Sequence, residues 1–593
     1  NFTSTTDSYN TAVGGFAGGS NTTGTQNTFV GGLAGNNNTT ADNNTAVGYL
    51  ALTTNTTGSL NTAVGGDTLK VNTTGAQNVA VGMYALNANT TAAQNTAVGY
   101  AAMIATTTGA SNVAVGGNAL DANTTGANNV AVGWNSLTTN TTASNNIAIG
   151  QSALGLNTTG SENTVVGTAA MDANTEGDDN VGMGYGALGA NTTGNKNVAI
   201  GNNALDANTT GADNTAVGFD ALTANTTAAN NVAVGKHAMG VNTSGTLNVA
   251  VGNYALDANT TANNNVAVGY AALSANTTGA TNTAVGKSAM AANTTAANNT
   301  AIGYNTLLAN TTGANNLAVG GSALGSNTTA SDNTAIGISA MVANTTGTNN
   351  VAVGFSAASS NTTGSQNTAL GWNALRANTT ASDNTALGKR ALDANTEGTL
   401  NTAVGTNCGD NLTTASFCSL VGANIDTGDV SSINCNALGY GLTAVSGYTT
   451  LGITTSDIRA QHGSTTWSTV SDERVKKDIT DSTAGLSFIN DLRPRTFKYK
   501  NKGDLPEEFN GYEEGSTEAY KNSNTNHGFI AQEVKAAIDS HSEITDGFKM
   551  WDFRESGQQE VGEAAVIPIL VKALQELSAK NDALEARLTT LEG

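Results

Sequence analysis

Residues 265–281 read N-V-A-V-G-Y-A-A-L-S-A-N-T-T-G-A-T, and this pattern returns at every seventeenth position through the first two thirds of the chain. Its first Asn recurs in each of 24 units, from Asn10 to Asn401, and the Gly four residues later recurs with it. Its second Asn is present in 22 units, and Thr106 and Leu412 replace it in the other two. Such strict internal spacing predicts a repeat architecture in which equivalent residues occupy equivalent positions.

The repeat unit favours β structure. Seventeen residues are too few for a pair of helices, and Asn, Thr and Gly are poor helix formers. The N-T-A-V-G segment alternates as a strand does, with Ala nearly always third and a larger apolar residue fourth. We expect the large column to face the interior of a coil and the Ala column to face a neighbouring wall, such as another chain. The large column includes Val13, Val30, Ile149, Met183 and Leu370.

The rest of the unit predicts a second short strand and a return turn. The second strand is expected at A-L or A-M, as at Ala119 and Leu120, and N-T-T-G contains turn-forming residues. Gly at the fifth position marks a turn that needs unusual dihedrals or no side chain. Stacked coils would align the Asn residues into hydrogen-bonded ladders. At about 4.8 Å per coil, the repeats would make a rod roughly 115 Å long.

These patterns predict a mainly β fold, a parallel β-solenoid or β-roll of 17-residue coils over residues 1–405. One such coil has a thin core, and three chains sharing an axis would bury far more, so we expect a homotrimer. Residues 4–9 match the end of a unit and the chain does not begin with Met. We therefore expect a fragment or processed piece of a longer protein.

Composition excludes several classes of protein. The net charge of −21 opposes nucleic-acid binding, and no run of about 18 apolar residues is present to span a membrane. Only 3 Cys and 4 His leave little for a disulfide framework or a metal site, and we expect no cofactor. Residues 1–405 hold 7 basic and 17 acidic residues, whereas residues 406–593 hold 16 and 27. The chain therefore has at least two parts of different character.

Residues 406–470 carry degenerate units in which the spacing is lost, and we interpret them as a neck or cap. The three cysteines, Cys408, Cys418 and Cys435, fall in this segment. We interpret them as small buried core residues, in preference to interchain disulfides or a metal site.

Residues 471–593 read as a mixed α/β module. An amphipathic helix is predicted over 485–494 and is ended by Pro494, a strand over 496–500, and a strand entering a helix over 527–534. The tail, 564–593, has apolar residues that step by three and four, with one Asn at an a position. A parallel coiled coil is the direct interpretation, and one amphipathic helix packed on its own domain is the alternative. The seam comprises Ile567, Leu570, Leu574, Leu577, Asn581, Leu584, Leu588 and Leu591.

Four motifs in this order resemble the endosialidase-type intramolecular chaperone, the self-cleaving C-terminal domain of phage tail spikes and fibres. They are S-D-E-R-V-K-K (471–477), L-R-P-R-T-F-K-Y (492–499), H-G-F-I-A-Q-E-V (527–534) and I-P-I-L-V-K-A-L-Q-E-L (567–577). The resemblance implies a module that trimerises, templates folding of the upstream fibre and then cuts itself off. The family's catalytic Ser and Lys correspond to Ser471 and Lys476, with the cut between Val470 and Ser471.

The repeats are themselves similar to those of phage-type and bacterial tail-fibre proteins. They resemble more distantly the head repeats of trimeric autotransporter adhesins, which form a left-handed parallel β-roll. The coil of that family is shorter than the repeat unit of this chain, so the turn with N-T-T-G is additional here.

The implied Ser–Lys dyad makes chemical sense. A Ser hydroxyl needs a base at neutral pH, and a Lys whose pKa is lowered by burial can serve. Residues five apart do not share a helix face, so the segment must bend or a neighbouring chain must help. The alternative is that Ser471 caps a helix with Asp472 and Glu473 in its first turn. Lys477 is the competing base, and His527 is expected to be structural or supporting.

We therefore expect a trimeric tail or surface fibre whose only chemistry is one self-cleavage. Its partners would be a host cell-surface receptor, for which a glycan is one candidate, and an upstream attachment protein or virion baseplate. A bacterial trimeric adhesin or extracellular filament is the alternative. Ice or carbohydrate binding by the Thr columns is disfavoured, because adjacent threonines point to opposite faces.

Overall fold

The computed structural model describes residues 8–464, 466–544, 548–554 and 557–592. The chain divides into two compact units, Asn1–Val470 and Ser471–Gly593. No helix among the described residues combines the length and apolar character needed to cross a membrane.

The N-terminal unit is a parallel β-solenoid, as predicted. Each repeat unit contributes one short strand, and each strand residue pairs with its equivalent in the next unit, as Thr45 pairs with Thr62. The strands are β1 Thr11–Val13, β2 Thr28–Val30, β3 Thr45–Val47, β4 Thr62–Val64, β5 Val79–Val81, β6 Thr96–Val98, β7 Val113–Val115, β8 Val130–Val132, β9 Ile147–Ile149, β10 Thr164–Val166, β11 Val181–Met183, β12 Val198–Ile200, β13 Thr215–Val217, β14 Val232–Val234, β15 Val249–Val251, β16 Val266–Val268, β17 Thr283–Val285, β18 Thr300–Ile302, β19 Leu317–Val319, β20 Thr334–Ile336, β21 Val351–Val353, β22 Thr368–Leu370, β23 Thr385–Leu387 and β24 Thr402–Val404.

The strands face the opposite way from the prediction. The central residue of the strand is an Ala in most units and is fully buried in the coil interior, as for Ala46 and Ala63. The larger fourth residue points outward and is half-buried or exposed, as for Ile149 at 39% exposure. The turn supplies the large interior side chain, such as Leu52, and in most units the strand adds only the methyl group of an Ala. The outward column therefore contains Val13, Val30, Ile149, Met183 and Leu370.

The second strand predicted at A-L is also wrong. The segment is a turn, and its Leu or Met is buried with a positive φ, as for Leu120 at 55°. Non-Gly residues seldom adopt this conformation, but here backbone hydrogen bonds to the next coil hold it. The N–H of Leu120 donates to the carbonyl oxygen of Ser136 at 2.9 Å. The coil-to-coil hydrogen bonding therefore continues through the turn.

The predicted role of the fifth-position Gly is confirmed. From Gly14 to Gly405 these residues have φ between +122° and +150°. A Cβ on Gly48 would lie 2.4 Å from the carbonyl oxygen of Gly65 in the next coil. The position therefore requires both the left-handed backbone and the missing side chain.

The predicted Asn ladders are confirmed in both columns. In the first column, the Oδ1 of Asn27 accepts the backbone N–H of Asn44 at 2.9 Å. In the second, the Nδ2 of Asn72 donates to the Oδ1 of Asn55 at 2.8 Å and to the carbonyl oxygen of Gly75 at 2.9 Å. These amides are buried, so the ladders satisfy polar groups that water does not reach.

The solenoid continues beyond residue 405 with its spacing intact for two further coils. Ser419 pairs with Thr402 and with Asn436, one full repeat unit away on either side, and the step shortens only where Asn436 pairs with Thr449. The prediction of lost spacing from residue 406 is therefore wrong for these coils. The final strand is antiparallel to its neighbour. The strands here are β25 Ser419–Ala423, β26 Asp426–Thr427, β27 Asn436–Tyr440, β28 Thr443–Ala444, β29 Tyr448–Ile453 and β30 Ser456–Gln461.

The cysteines extend two of the repeat columns. Cys418 and Cys435 stand where the first Asn would be, and a disulfide joins these two coils. The N–H of Cys418 still donates to the Oδ1 of Asn401 at 3.0 Å. All three cysteines are buried in the core, as predicted, but the intrachain disulfide was not predicted. Burial raises the pKa of the remaining thiol, Cys408, to about 12.

The C-terminal unit has its own core, formed by Ala484, Phe488, Leu492, Val534, Ala537, Met550, Val566 and Ile569. The predicted helices are present at 486–491 and 531–540, and the side chain of Glu576 accepts the N–H of Leu486 at 2.9 Å. The apolar seam residues of the last helix are 38–83% exposed in the single chain. The elements are α1 Leu486–Asp491, β31 Arg495–Phe497, β32 Asn526–Gly528, α2 Ala531–Ser540, β33 Trp551–Phe553, β34 Gln559–Val561 and α3 Ile567–Glu592, with 3-10 helices at Glu473–Val475, Lys502–Asp504 and Glu563–Val566.

Candidate functional site

The segment that opens the C-terminal unit is a single 3-10 turn between two extended residues. The turn spans Glu473–Val475. Asp472 before it has a ψ of 134°, and Lys476 after it has φ −110° and ψ 149°. One tight turn with an extended residue on each side folds the chain back on itself, so side chains five positions apart can meet.

This turn brings the two predicted catalytic side chains together. The Nζ of Lys476 lies 2.8 Å from the Oγ of Ser471, within hydrogen-bonding distance. A regular helix would have turned the two side chains to different faces. The contact is made within one chain.

Asp472 caps the turn, and Arg474 donates hydrogen bonds to the capping carboxylate. The carboxylate of Asp472 accepts the backbone N–H of Arg474 at 2.8 Å and two guanidinium hydrogen bonds at 2.9 and 2.5 Å. The Arg474 side chain, followed by its backbone N–H, lowers the pKa of Asp472. The alternative in which Ser471 is the cap is therefore wrong. The Ser471 hydroxyl does not cap the turn and instead contacts Lys476.

The sequence reasoning missed this Asp472–Arg474 pair. The motif S-D-E-R could have predicted it. Asp is a preferred capping residue, and an Arg two positions later can donate two hydrogen bonds to its carboxylate. The pair acts on the site by fixing the turn between Ser471 and Lys476.

Both members of the dyad are exposed in the single chain. Lysine can act as a base only when its amine is neutral, so the dyad needs surroundings that disfavour the ammonium form. The described residues of one chain do not bury Lys476.

The competing residues have other surroundings. Lys477 is exposed and makes no side-chain hydrogen bond or ion pair with the residues that the structure describes. His527 lies on β32, and its Nδ1 is 3.4 Å from the Oγ1 of Thr496. Within the described ranges, no group of His, Cys, Asp and Glu side chains could hold a metal ion.

Ion pairs join several elements of the C-terminal unit. Arg495 donates to both carboxylate oxygens of Glu533 at 2.8 and 2.5 Å, joining β31 to α2. His541 lies 2.7 Å from Asp491 and 2.6 Å from Glu543, and these carboxylates raise the pKa of His541, Asp491 most strongly. These contacts link α1 and α2 around the core of the unit.

Comparison with known families supports the resemblance noted in the sequence. Residues 471–542 match the family described as chaperone of endosialidase. The C-terminal unit is therefore a chaperone domain of this family, and its combination with a solenoid of 17-residue coils fits a tail spike or fibre with an intramolecular chaperone. No curated protein and no solved structure matches the chain.

Proposed function

We propose that the protein is the subunit of a trimeric fibre that attaches to a host cell or another surface, and that its chaperone unit cuts itself off between Val470 and Ser471. The observation that carries the cleavage proposal is the 2.8 Å contact between Lys476 Nζ and Ser471 Oγ. It lies at the first residue of the C-terminal unit, where the family match also begins. A cut there would separate the two units cleanly.

The cleavage chemistry follows from the position of the serine. Neutral Lys476 takes the proton of the Ser471 hydroxyl, and Oγ attacks the carbonyl carbon of Val470. The new C–O bond forms, the C–N bond breaks, and Lys476 returns the proton to the leaving amine of Ser471. Water then hydrolyses the resulting ester, leaving a carboxylate on Val470 and restoring the Ser471 hydroxyl.

Two apolar surfaces support the trimer. The outward column of the solenoid repeats a partly exposed Val, Ile, Leu or Met in coil after coil, as at Ile200, Ile302 and Leu387. The seam of α3 is also exposed, with Leu574 at 67%. Apolar surface arranged in two continuous rows is better buried than left in water. Copies of the same chain would cover both rows in register.

Assembly would also activate the dyad. Lys476 is exposed in one chain, and packing of a neighbouring chain against it would remove water that stabilises its ammonium form. Cleavage would then follow trimerisation, which keeps the chaperone attached until the fibre has folded.

The test is to express the chain with Ser471→Ala, Lys476→Gln or Lys477→Gln and to measure intact masses. The unaltered chain and the Lys477 variant should give two pieces, residues 1–470 and 471–593. The Ser471 and Lys476 variants should stay uncut, with a threefold mass in solution. Cleavage that persists in Ser471→Ala would exclude the dyad, and a monomeric mass for every variant would exclude the trimer.

A further inference from the structure

The aromatic and basic residues of the solenoid concentrate on one corner of the coil. This corner, the fifth and sixth residues after the first Asn of each unit, we call the corner ridge. Its aromatic members are Phe16, Tyr49, Tyr84, Tyr100, Trp134, Tyr185, Phe219, Tyr254, Tyr270, Tyr304, Phe355 and Trp372. Its cations are Lys236, Lys287, Lys389 and Arg390. Most of these rings are exposed, so the ridge is a surface with chemistry that the rest of the Asn- and Thr-rich coil lacks.

Neighbouring coils of the ridge place cations against rings. The Nζ of Lys236 lies 5.7 Å from the ring centre of Tyr254, that of Lys287 lies 5.7 Å from Tyr304, and that of Lys389 lies 5.4 Å from Trp372. The third pair differs from the others because two arginines, Arg376 and Arg390, line a cavity together with it.

A cavity of about 330 Å³ lies beside this third pair. We call it the Trp372 pocket, and it is lined by Trp372, Asn373, Arg376, Lys389, Arg390 and Asp393. Its size is at the lower end of pockets that hold small ligands. Three of the 7 basic residues of residues 1–405 therefore meet at one cavity.

Asp393 fixes the two arginines in place. Its carboxylate is 3% exposed and accepts from Arg376 at 2.7 and 3.3 Å and from Arg390 at 3.0 Å. Arg390 also lies 3.6 Å from Asp410. A guanidinium has five donors, so each arginine keeps donors for a ligand. The side chains of Arg376 and Arg390 remain 50% and 41% exposed.

Charge neutralisation of Asp393 would need one cation, whereas three lie at this pocket. Asp121 and Asp206 stand at the same position of other coils, and Asp121 accepts only a threonine hydroxyl, from Thr138 at 2.7 Å. These two carboxylates are half-buried, whereas Asp393 is buried. The lining of the pocket carries three cations and one carboxylate, in a chain of net charge −21.

We propose that the Trp372 pocket binds a saccharide that carries a carboxylate, such as a uronic acid. Guanidinium groups held in a fixed orientation match the two oxygens of a carboxylate. The Trp372 ring, 46% exposed beside them, offers an apolar face to the C–H groups of a sugar ring. This proposal rests on the attachment role proposed above and assigns it a site and a ligand class.

The test measures binding of hexagalacturonate to the full chain by titration calorimetry at about 0.15 M salt, where distant charges are screened. Trp372→Ala and Lys389→Gln are the informative variants, because neither side chain bonds to Asp393. Each should weaken binding at least tenfold. The matched controls are Tyr304→Ala and Lys287→Gln, which remove an equivalent ring and cation away from the Trp372 pocket. They should leave the affinity within twofold.

Four results would overturn the proposal: no binding by the unaltered chain, equal binding of the neutral maltohexaose, equal binding of a sulfated dextran oligosaccharide of the same length, or equal losses in the controls. Cleavage and solution mass are recorded for every variant. A cleaved trimer that fails to bind hexagalacturonate would remove the pocket proposal and leave the fibre proposal standing. An uncleaved monomer that binds hexagalacturonate would remove the fibre proposal and leave the pocket proposal standing.

Discussion

The buried Asn side chain of the second column links each coil to the next. Most second-column Asn side chains donate to the Asn of the preceding coil and to a carbonyl in their own turn, as Asn89 does at 2.7 and 3.1 Å. The ladder is broken at Thr106. There the Oδ1 of Asn89 and the Oγ1 of Thr106 are both buried without a hydrogen-bond partner. Two unsatisfied buried oxygens make this a weak point of the column.

Restoring the amide at this position should stabilise the solenoid. In Thr106→Asn, the new Nδ2 can donate to Asn89 and the new Oδ1 can accept from Asn123, which now donates only to Gly126 at 3.0 Å. We expect a gain of about 1–2 kcal/mol in the free energy of unfolding. Urea unfolding, with hydrogen exchange of residues 89–123, measures it. Thr108→Asn, in the exposed part of the same turn, is the control, and equal or lower stability of Thr106→Asn would contradict the ladder argument.

Acidic residues near the cap predict a pH dependence. Burial, and then the neighbouring Asp410, raise the pKa of Asp426 to about 6. The ordinary value is about 3.9, so the folded state holds this proton more tightly than the unfolded state. The contribution of Asp426 to stability is therefore most favourable below about pH 4 and is lost as the pH rises to about 6.

Asp426→Asn should accordingly stabilise the cap at pH 7.5, by on the order of 1 kcal/mol after allowance for partial exposure, and should have little effect at pH 4. Asp429→Asn is the control of opposite sign, because hydrogen bonds from Ser431 lower the pKa of that exposed carboxyl. Its favourable contribution is present at neutral pH and is lost on acidification. Thermal unfolding at both pH values measures the two variants, and a stabilisation by Asp426→Asn that persists at pH 4 would refute this assignment.

At the scale of the element, the sequence predicted the period, the strand, the Gly and the Asn ladders, because each depends on spacing and local chemistry. It did not predict which strand face is inside. Alternation defines two faces, and the larger side chains of the strand are expected to face the interior. The turn supplies the large core residue here instead. Side chains of the strand column and of the turn column together fill the interior. The residue sizes in the strand column alone therefore do not show which strand face is buried.

The second coil shows how the two columns share space. Phe29 replaces the strand Ala and is fully buried, and Gly35 stands where other coils have Leu. A Cβ on Gly35 would lie 2.3 Å from the Phe29 ring. Gly35 has φ +57°, close to the 55° of Leu52 in the next coil, so the backbone there accepts Leu once the ring is gone.

A double-mutant cycle tests this compensation. Phe29→Ala should cost about 3–5 kcal/mol by leaving a cavity. Gly35→Leu alone should also destabilise, because its side chain meets the ring. The double variant restores the Ala and Leu pairing of the other coils and should recover most of the loss, with a coupling of about 2 kcal/mol. Additive effects in urea unfolding would show that the two columns do not share one space.

The site had a similar division between what spacing could and could not predict. The resemblance implied Ser471 and Lys476, but their separation of five residues left open how they meet. They meet because of the 3-10 turn, which Asp472 caps while its carboxylate accepts hydrogen bonds from Arg474. The spacing of residues in the sequence does not predict this three-dimensional contact. One chain leaves Lys476 exposed. In the proposed trimer, a neighbouring chain would supply the surroundings that activate it.

At the scale of the whole molecule, the proposed cleavage predicts an asymmetry between folding and unfolding. Three chains with 24 repeated units offer many wrong registers that differ by one or more whole units, and pairing of distant strands is slow. A chaperone that holds the C-terminal ends together would set one register. Once it is removed, unfolded chains have lost the nucleus that aligned them and refold poorly, so the fibre persists because its unfolding is slow.

We therefore expect the uncut Ser471→Ala protein to recover its trimeric mass after denaturation in guanidinium and dilution, whereas the separated 1–470 fibre should recover little and should aggregate. The two should unfold at similar rates, because the solenoid contacts are the same in both. Light scattering and electron microscopy after dilution measure the recovery, and adding free 471–593 to the cut fibre controls for a chaperone acting in trans. Equal recovery of both samples would mean that the solenoid finds its own register and that the chaperone unit has another role.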